Sequence, residues 1–93
     1  MLTNIFSDTG ITITNVGYST NEYWEAETSI NDRDILIAVS RKIIVWNWYI
    51  YEWCVDEDEA RYEWVLLNSG PCKDRTDGQR LCLEALQAMR SAP

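Results

Sequence analysis

The sequence predicts an α+β domain: an antiparallel sheet of four to five strands with one C-terminal helix packed on one face. Three observations carry that expectation. Polar and apolar residues alternate through the first two thirds of the chain, in segments rich in Val, Ile, Trp, Tyr and Thr, which suit a pleated, half-buried surface. Clusters of Asn, Asp, Ser and Gly separate those segments. From Thr76 onward the apolar spacing becomes helical. At 93 residues the chain is read as a single domain, 1–93. A domain of that size buries a modest share of its surface and depends on good packing.

The elements follow in order. Residues 11–18, ITITNVGY, read as a strand, although Gly17 and the polar TITN leave room for a loop. STNE is turn chemistry. Residues 23–30 alternate, with Trp24, Ala26, Thr28 and Ile30 on one side and Tyr23, Glu25, Glu27 and Ser29 on the other. NDRD, 31–34, is a turn. Residues 35–40 and 43–55 are β-branched and aromatic strands, Asp56 to Glu59 form a hairpin loop, and 60–67 is the last strand. NSGPCKD, 68–74, is a loop. A helix is expected over 77–90. Thr76 with Gln79 three residues later matches a capping box, and Asp77 and Arg90 suit the two ends of the helix dipole. Leu81, Cys82, Ala85, Leu86 and Met89 fall on one face, Arg80, Glu84 and Gln87 on the other. Leu83 lies off the apolar stripe, and Gly78 weakens the first turn.

Turn positions set the expected faces. With Asp56–Glu59 as the loop, Val55 faces Ala60, Trp53 faces Tyr62, Tyr51 faces Trp64 and Tyr49 faces Leu66, a ladder of favourable aromatic pairs. Ile35, Ile37 and Val39 then lie beside Ile43 and Val45 on the same side, joined by Trp24, Ala26, Thr28 and Ile30. The helix is expected there. The second face is expected to carry Tyr23, Glu25, Glu27, Leu36, Ala38, Trp46, Trp48, Ile50, Glu52 and Glu63. Glu52 opposes Glu63, with Arg61 nearby to answer them. Two exposed tryptophans among carboxylates read as a partner surface, since large apolar patches mark interfaces. The plainer reading is a solvated sheet face.

Much chemistry is excluded. There is no histidine, which removes the usual proton shuttle and the commonest metal ligand. Asp56 and Asp58 begin like a calcium loop, but Ala60 and Arg61 follow where the pattern needs an oxygen ligand and a glycine. No zinc spacing, phosphate loop or nucleophile elbow occurs. A carboxylate pair such as Glu52 and Glu63 could do acid–base work, but one sheet and one helix rarely form the cleft that catalysis needs. No enzymatic activity, cofactor or metal is expected. Cys54, Cys72 and Cys82 are an odd number and read as reduced thiols. MLTNIFSDTG lacks a basic stretch and a long apolar run, so no signal peptide is expected. No segment is apolar for long enough to span a bilayer. The expected location is the cytoplasm.

Fifteen acids against eight bases give a net charge of −7. Such a chain avoids nucleic acid and anionic membrane and is drawn to basic surfaces. Asp56, Glu57, Asp58 and Glu59 repel one another and gain if a partner's Lys and Arg sit among them. A simpler role for them is to keep an aromatic hairpin from aggregating. The partner-binding residues expected are therefore Asp56, Glu57, Asp58, Glu59, Glu25, Glu27, Glu52, Glu63, Trp46 and Trp48.

In size, acidity and architecture the whole chain resembles small phage-encoded inhibitors, above all anti-CRISPR proteins. That resemblance implies a non-enzymatic protein, acting in the host-cell cytoplasm, that blocks access of nucleic acid to a basic complex. The carboxylates would stand in for phosphates, as a DNA mimic. Immunity proteins for nuclease toxins share the profile and are the first alternative. The second is an accessory or structural subunit that dimerises through the uncovered sheet face, its charge serving solubility.

Overall fold

The computed structural model describes residues 9–91. Five strands form one antiparallel sheet in the order β1-β2-β3-β4-β5. They are β1 (Ile13–Ser19), β2 (Tyr23–Ile30), β3 (Arg33–Lys42), β4 (Val45–Asp56) and β5 (Arg61–Cys72), and they precede helix α1 (Arg75–Ser91). The fold class expected from the sequence is the one observed. Each strand pairs with its sequence neighbour, so every connection is a hairpin.

Two hairpin turns differ from the sequence reading, one in length and one in position. Ile30 pairs with Arg33 across Asn31 and Asp32. Both turn residues have positive φ, 52° and 64°, a conformation that Asn and Asp tolerate and that two-residue hairpins use. The turn is two residues shorter than NDRD, and a shift of two preserves the faces of β2 and β3. The next turn changes the faces. Lys42 pairs with Val45 across Ile43 and Ile44. Val39 therefore faces Trp48, Ile37 faces Ile50 and Ile35 faces Glu52. The expected register set Val39 beside Ile43 and Val45, so the observed one differs by an odd number of residues, and any odd slip sends every side chain of a strand to the other face.

Strand β4 is thus inverted relative to expectation. Trp46, Trp48 and Ile50 point toward the helix, with Ile50 fully buried and both tryptophans packed against the core. Tyr49, Tyr51, Trp53 and Val55 have the opposite parity and lie on the uncovered side. The helix does not cover the aromatic ladder. Ile43 and Val45, also expected on the inner face, are exposed, Ile43 within the turn itself. In β2 and β3 the expected inner face holds: Trp24, Ala26, Ile30, Ile35, Ile37 and Val39 form the core with Cys82 and Leu86. Burying each large apolar side chain contributes about 1.5–3 kcal/mol.

Strand β5 runs on to Cys72, into the expected loop at 68–74, across a bulge. Ile50 pairs with Asn68 but Tyr51 pairs with Leu66, which leaves Leu67 as an extra residue. Beyond the bulge Gly70 lies opposite Trp48 and Cys72 opposite Trp46. A Cβ on Gly70 would sit 2.9 Å from the Trp48 indole nitrogen, so the indole occupies the space the glycine leaves. Pro71 is admitted because β5 is a sheet edge. Strand β1, the other edge, pairs irregularly with β2.

The helix starts two residues earlier than expected, on a different cap. Asp74, not Thr76, accepts the backbone N–H of Asp77 at 2.8 Å. The Asp77 carboxylate in turn accepts the backbone N–H of Lys73 at 2.9 Å. This is a reciprocal cap built from two aspartates. The Lys73 N–H and Arg80 hold the Asp77 carboxyl below its ordinary range. Leu83 and Ala85 pack against the core beside Met89.

Gly78 is buried where the helix meets the sheet, and a Cβ there would lie 2.6 Å from Val39 Cγ1 and 3.0 Å from Cys72 Sγ. Gly78→Ala gains about 1 kcal/mol of helix propensity, but overpacking a stiff, buried valine costs about 1–3 kcal/mol. The variant is expected to unfold at lower urea than the parent. A raised midpoint would show that helix and sheet can separate at little cost.

No disulfide links Cys54, Cys72 and Cys82. Cys82 is fully buried, its thiol 3.8 Å from the Tyr49 carbonyl and 3.9 Å from that of Ala38. Burial pushes its pKa up to about 12, from an ordinary thiol value near 9.0. A group whose folded pKa is raised stabilises the fold below its unfolded pKa and loses that contribution as pH rises through the folded one. Stability is therefore expected to fall between about pH 9 and pH 12. At neutral pH, thiol-directed alkylation of the native protein is expected to spare Cys82 and to label it on unfolding. Labelling of Cys82 at the same rate as Cys54 in native protein would contradict the packing of α1.

Candidate protein-binding face

The helix covers one side of the sheet. On the other side, cross-strand pairing arranges side chains in rows. Glu25, Ala38, Tyr49 and Ser69 form one row, and Glu27, Leu36, Tyr51 and Leu66 the next. Ser29 pairs with Asp34, Trp53 with Trp64, and Val55 with Tyr62. Tyr49 and Tyr51 stack with centroids 6.2 Å apart, and Trp53 meets Trp64 edge-on at 5.3 Å. Trp53 is 37% exposed, Leu66 51% and Tyr62 60%. This is a continuous aromatic surface with carboxylates at its β2 and β3 side.

The charges segregate between the two sides. With the helix lie Arg33, Arg41 and Arg61, each held by an acid. Arg33 makes a two-pronged pair with Glu52 at 2.7 and 2.9 Å, which holds the Glu52 carboxyl below its ordinary range. Arg41 binds Glu22 at 3.0 Å and lies over the Trp46 ring at 5.7 Å. Arg61 bridges Glu59 and Glu63 at 3.3 and 3.2 Å. On the uncovered side the acids are Glu25, Glu27 and Asp34, and their bonds are to neutral groups. Tyr23 donates its hydroxyl to Glu25 at 2.7 Å, and Asn15 donates to Glu27 at 2.8 Å. Asp34 has no ion pair among the described residues. Lys42, next to the Ile43–Ile44 turn, is the one base of β2 to β5 with this parity. Burial, with Glu25 adding to it, pushes the Tyr23 hydroxyl well up. Burial, with Tyr49 adding to it, raises Tyr51 as well. Both tyrosines stay neutral donors.

The expected site residues divide accordingly. Glu25 and Glu27 lie on the uncovered face as read from the sequence. Trp46, Trp48, Glu52 and Glu63 do not: they share the helix side, because the turn at Ile43–Ile44 inverts β4. Glu52 and Glu63 are not opposed either, since Glu52 pairs with Val65 and Glu63 with Cys54. Asp56 closes the acidic loop, accepting the backbone N–H groups of Asp58 and Glu59 at 3.1 and 3.3 Å. Glu59 is tied to Arg61. Glu57 and Asp58 remain as exposed carboxylates with no side-chain bond among the described residues. The sequence reading missed Tyr49, Tyr51, Trp53, Trp64, Leu66 and Asp34 as surface residues. No local signal marked them, because the face of β4 is set by the turn at Ile43–Ile44.

Among the described residues no group of three or more Cys, Asp or Glu is placed to hold a metal ion, and no helix is long and apolar enough to cross a membrane. No family model, no curated protein and no solved structure matches this chain.

Proposed function

We propose that this protein is a non-enzymatic inhibitor that acts in the cytoplasm by contact. It docks its uncovered sheet face on a basic, nucleic-acid-handling protein and blocks access of nucleic acid. One observation carries the reading: the charges are sorted by side. Arginines and glutamates cancel beside the helix, whereas the aromatic face carries Glu25, Glu27 and Asp34 with no arginine among them. A fold needing charge only for solubility has no reason to sort it. Aromatic residues supply the area an interface core needs, and carboxylates compete with phosphates for the same Lys and Arg side chains.

The test is direct. Proteins retained from host cells by the immobilised domain are assayed for nucleic-acid binding with and without added domain. The expected result is a basic partner released by salt, whose nucleic acid is displaced by the domain. A partner that keeps its nucleic acid in the complex would overturn the proposal. A second reading, self-association through the same face, is favoured by the exposure of Val55, Tyr62 and Leu66. It predicts a dimer in sedimentation that Leu66→Glu dissociates.

A further inference from the structure

The uncovered face is concave at its Trp53 end. A cavity of about 410 Å³ opens there, with Trp53, Trp64, Glu27, Asp34 and Thr14 in its lining and no Lys or Arg. The two indoles stand 5.3 Å apart at 62° and form walls set at a steep angle. Glu27 accepts from Asn15 through Oε2, and its Oε1 makes no side-chain hydrogen bond or ion pair among the described residues. Asp34 has no ion pair there either.

This chemistry selects its occupant. An anion is repelled by two carboxylates. An apolar group would strip water from them with nothing in return. A cation satisfies both halves of the lining, because indole faces attract cations and carboxylates pair with them. Among cations, a guanidinium suits the walls better than an ammonium. It is planar and weakly hydrated, it stacks on a ring, and it still directs N–H groups in its plane toward a carboxylate.

We propose that the cavity formed by Trp53, Trp64, Glu27 and Asp34 is a receptor for a guanidinium group, the side chain of an arginine on the basic partner. The source of that arginine rests on the function proposed above, whereas the site itself can be tested without a partner. The probe is arginine blocked at both termini, with blocked lysine and blocked citrulline alongside. Citrulline keeps the shape and loses the charge.

The indole N–H resonances of Trp53 and Trp64 are expected to move with blocked arginine, at an affinity in the millimolar range typical of a single contact. Blocked lysine should bind more weakly, and citrulline should leave the resonances in place. Glu27→Gln with Asp34→Asn is expected to weaken arginine binding by about tenfold or more, as loss of charge-assisted bonds implies. Trp53→Ala should abolish the response at Trp64. Equal shifts with citrulline, or arginine binding that neither variant weakens, would overturn the site. Loss of the arginine response with salt-sensitive partner capture intact would remove this site and leave the proposed function standing. Arginine binding with no nucleic-acid-handling partner would do the reverse.

Discussion

Replacing Trp24 with alanine is expected to leave little folded protein at physiological temperature. Trp24 of β2 is fully buried, opposite Val39 of β3, in the core that includes Cys82 and Leu86 of the helix. Truncating a core tryptophan costs about 3–5 kcal/mol, against a total stability of about 5–15 kcal/mol for a whole domain. A domain this small lies toward the lower end of that range. Trp53→Ala removes the same indole from the other side of the sheet, where 37% of its surface is already in water. Its cost is expected near 1 kcal/mol, the centre of the distribution for point substitutions. Trp46→Ala with Trp48→Ala should behave like Trp24→Ala, because both indoles pack against the core and Trp48 fills the space over Gly70. Urea denaturation of the variants gives the ranking. A Trp53 variant as unstable as the Trp24 variant would mean that the aromatic ladder is a second core.

The contrast also marks what could be read from the sequence. Strand alternation in 23–30 and the apolar run 35–40 fixed which side chains of β2 and β3 enter the core. An error of two residues at Asn31–Asp32 did no harm, since side chains repeat every two residues along a strand. The hairpin from β3 to β4 offered no such signal. SRKII contains no Gly, Asn, Asp or Pro, and the chain turns on Ile43 at a φ of 63°. Few β-branched residues adopt that conformation, so nothing local placed the turn there. Strand β4 is also apolar and aromatic on both sides, so its composition could not correct a slip. The bulge at Leu67 hid in the same way, because Asn68, Ser69, Gly70 and Pro71 carry turn chemistry while continuing a strand. Glu25 and Glu27 were legible because β2 alternates cleanly. Trp53, Trp64 and Asp34 were not, because their face depends on turns that only the folded chain shows.

The acids of the uncovered face provide the other large effect. Glu25→Gln, Glu27→Gln and Asp34→Asn together take the net charge from −7 to −4, three negatives removed. The fold should survive, because glutamine keeps an acceptor for Tyr23 and for Asn15 and Asp34 is exposed. Association with the basic partner is expected to slow by about tenfold or more, since long-range attraction sets encounter rates while packing sets release. Replacing Asp56 to Glu59 by Asn and Gln removes four negatives, from −7 to −3. It should slow association less, because Glu59 is already tied to Arg61 and Asp56 serves the turn. Raising salt on the parent should reproduce the loss, since screening limits exposed charges to a reach of about 8 Å at physiological strength. Stopped-flow association rates for both variants across a salt series decide the matter. Parental rates in both would mean that the sorted carboxylates attract nothing, and would leave the aromatic face as an apolar contact alone. A slower loop variant beside an unchanged face variant would move the contact to Glu57 and Asp58, at the tip of the β4–β5 hairpin.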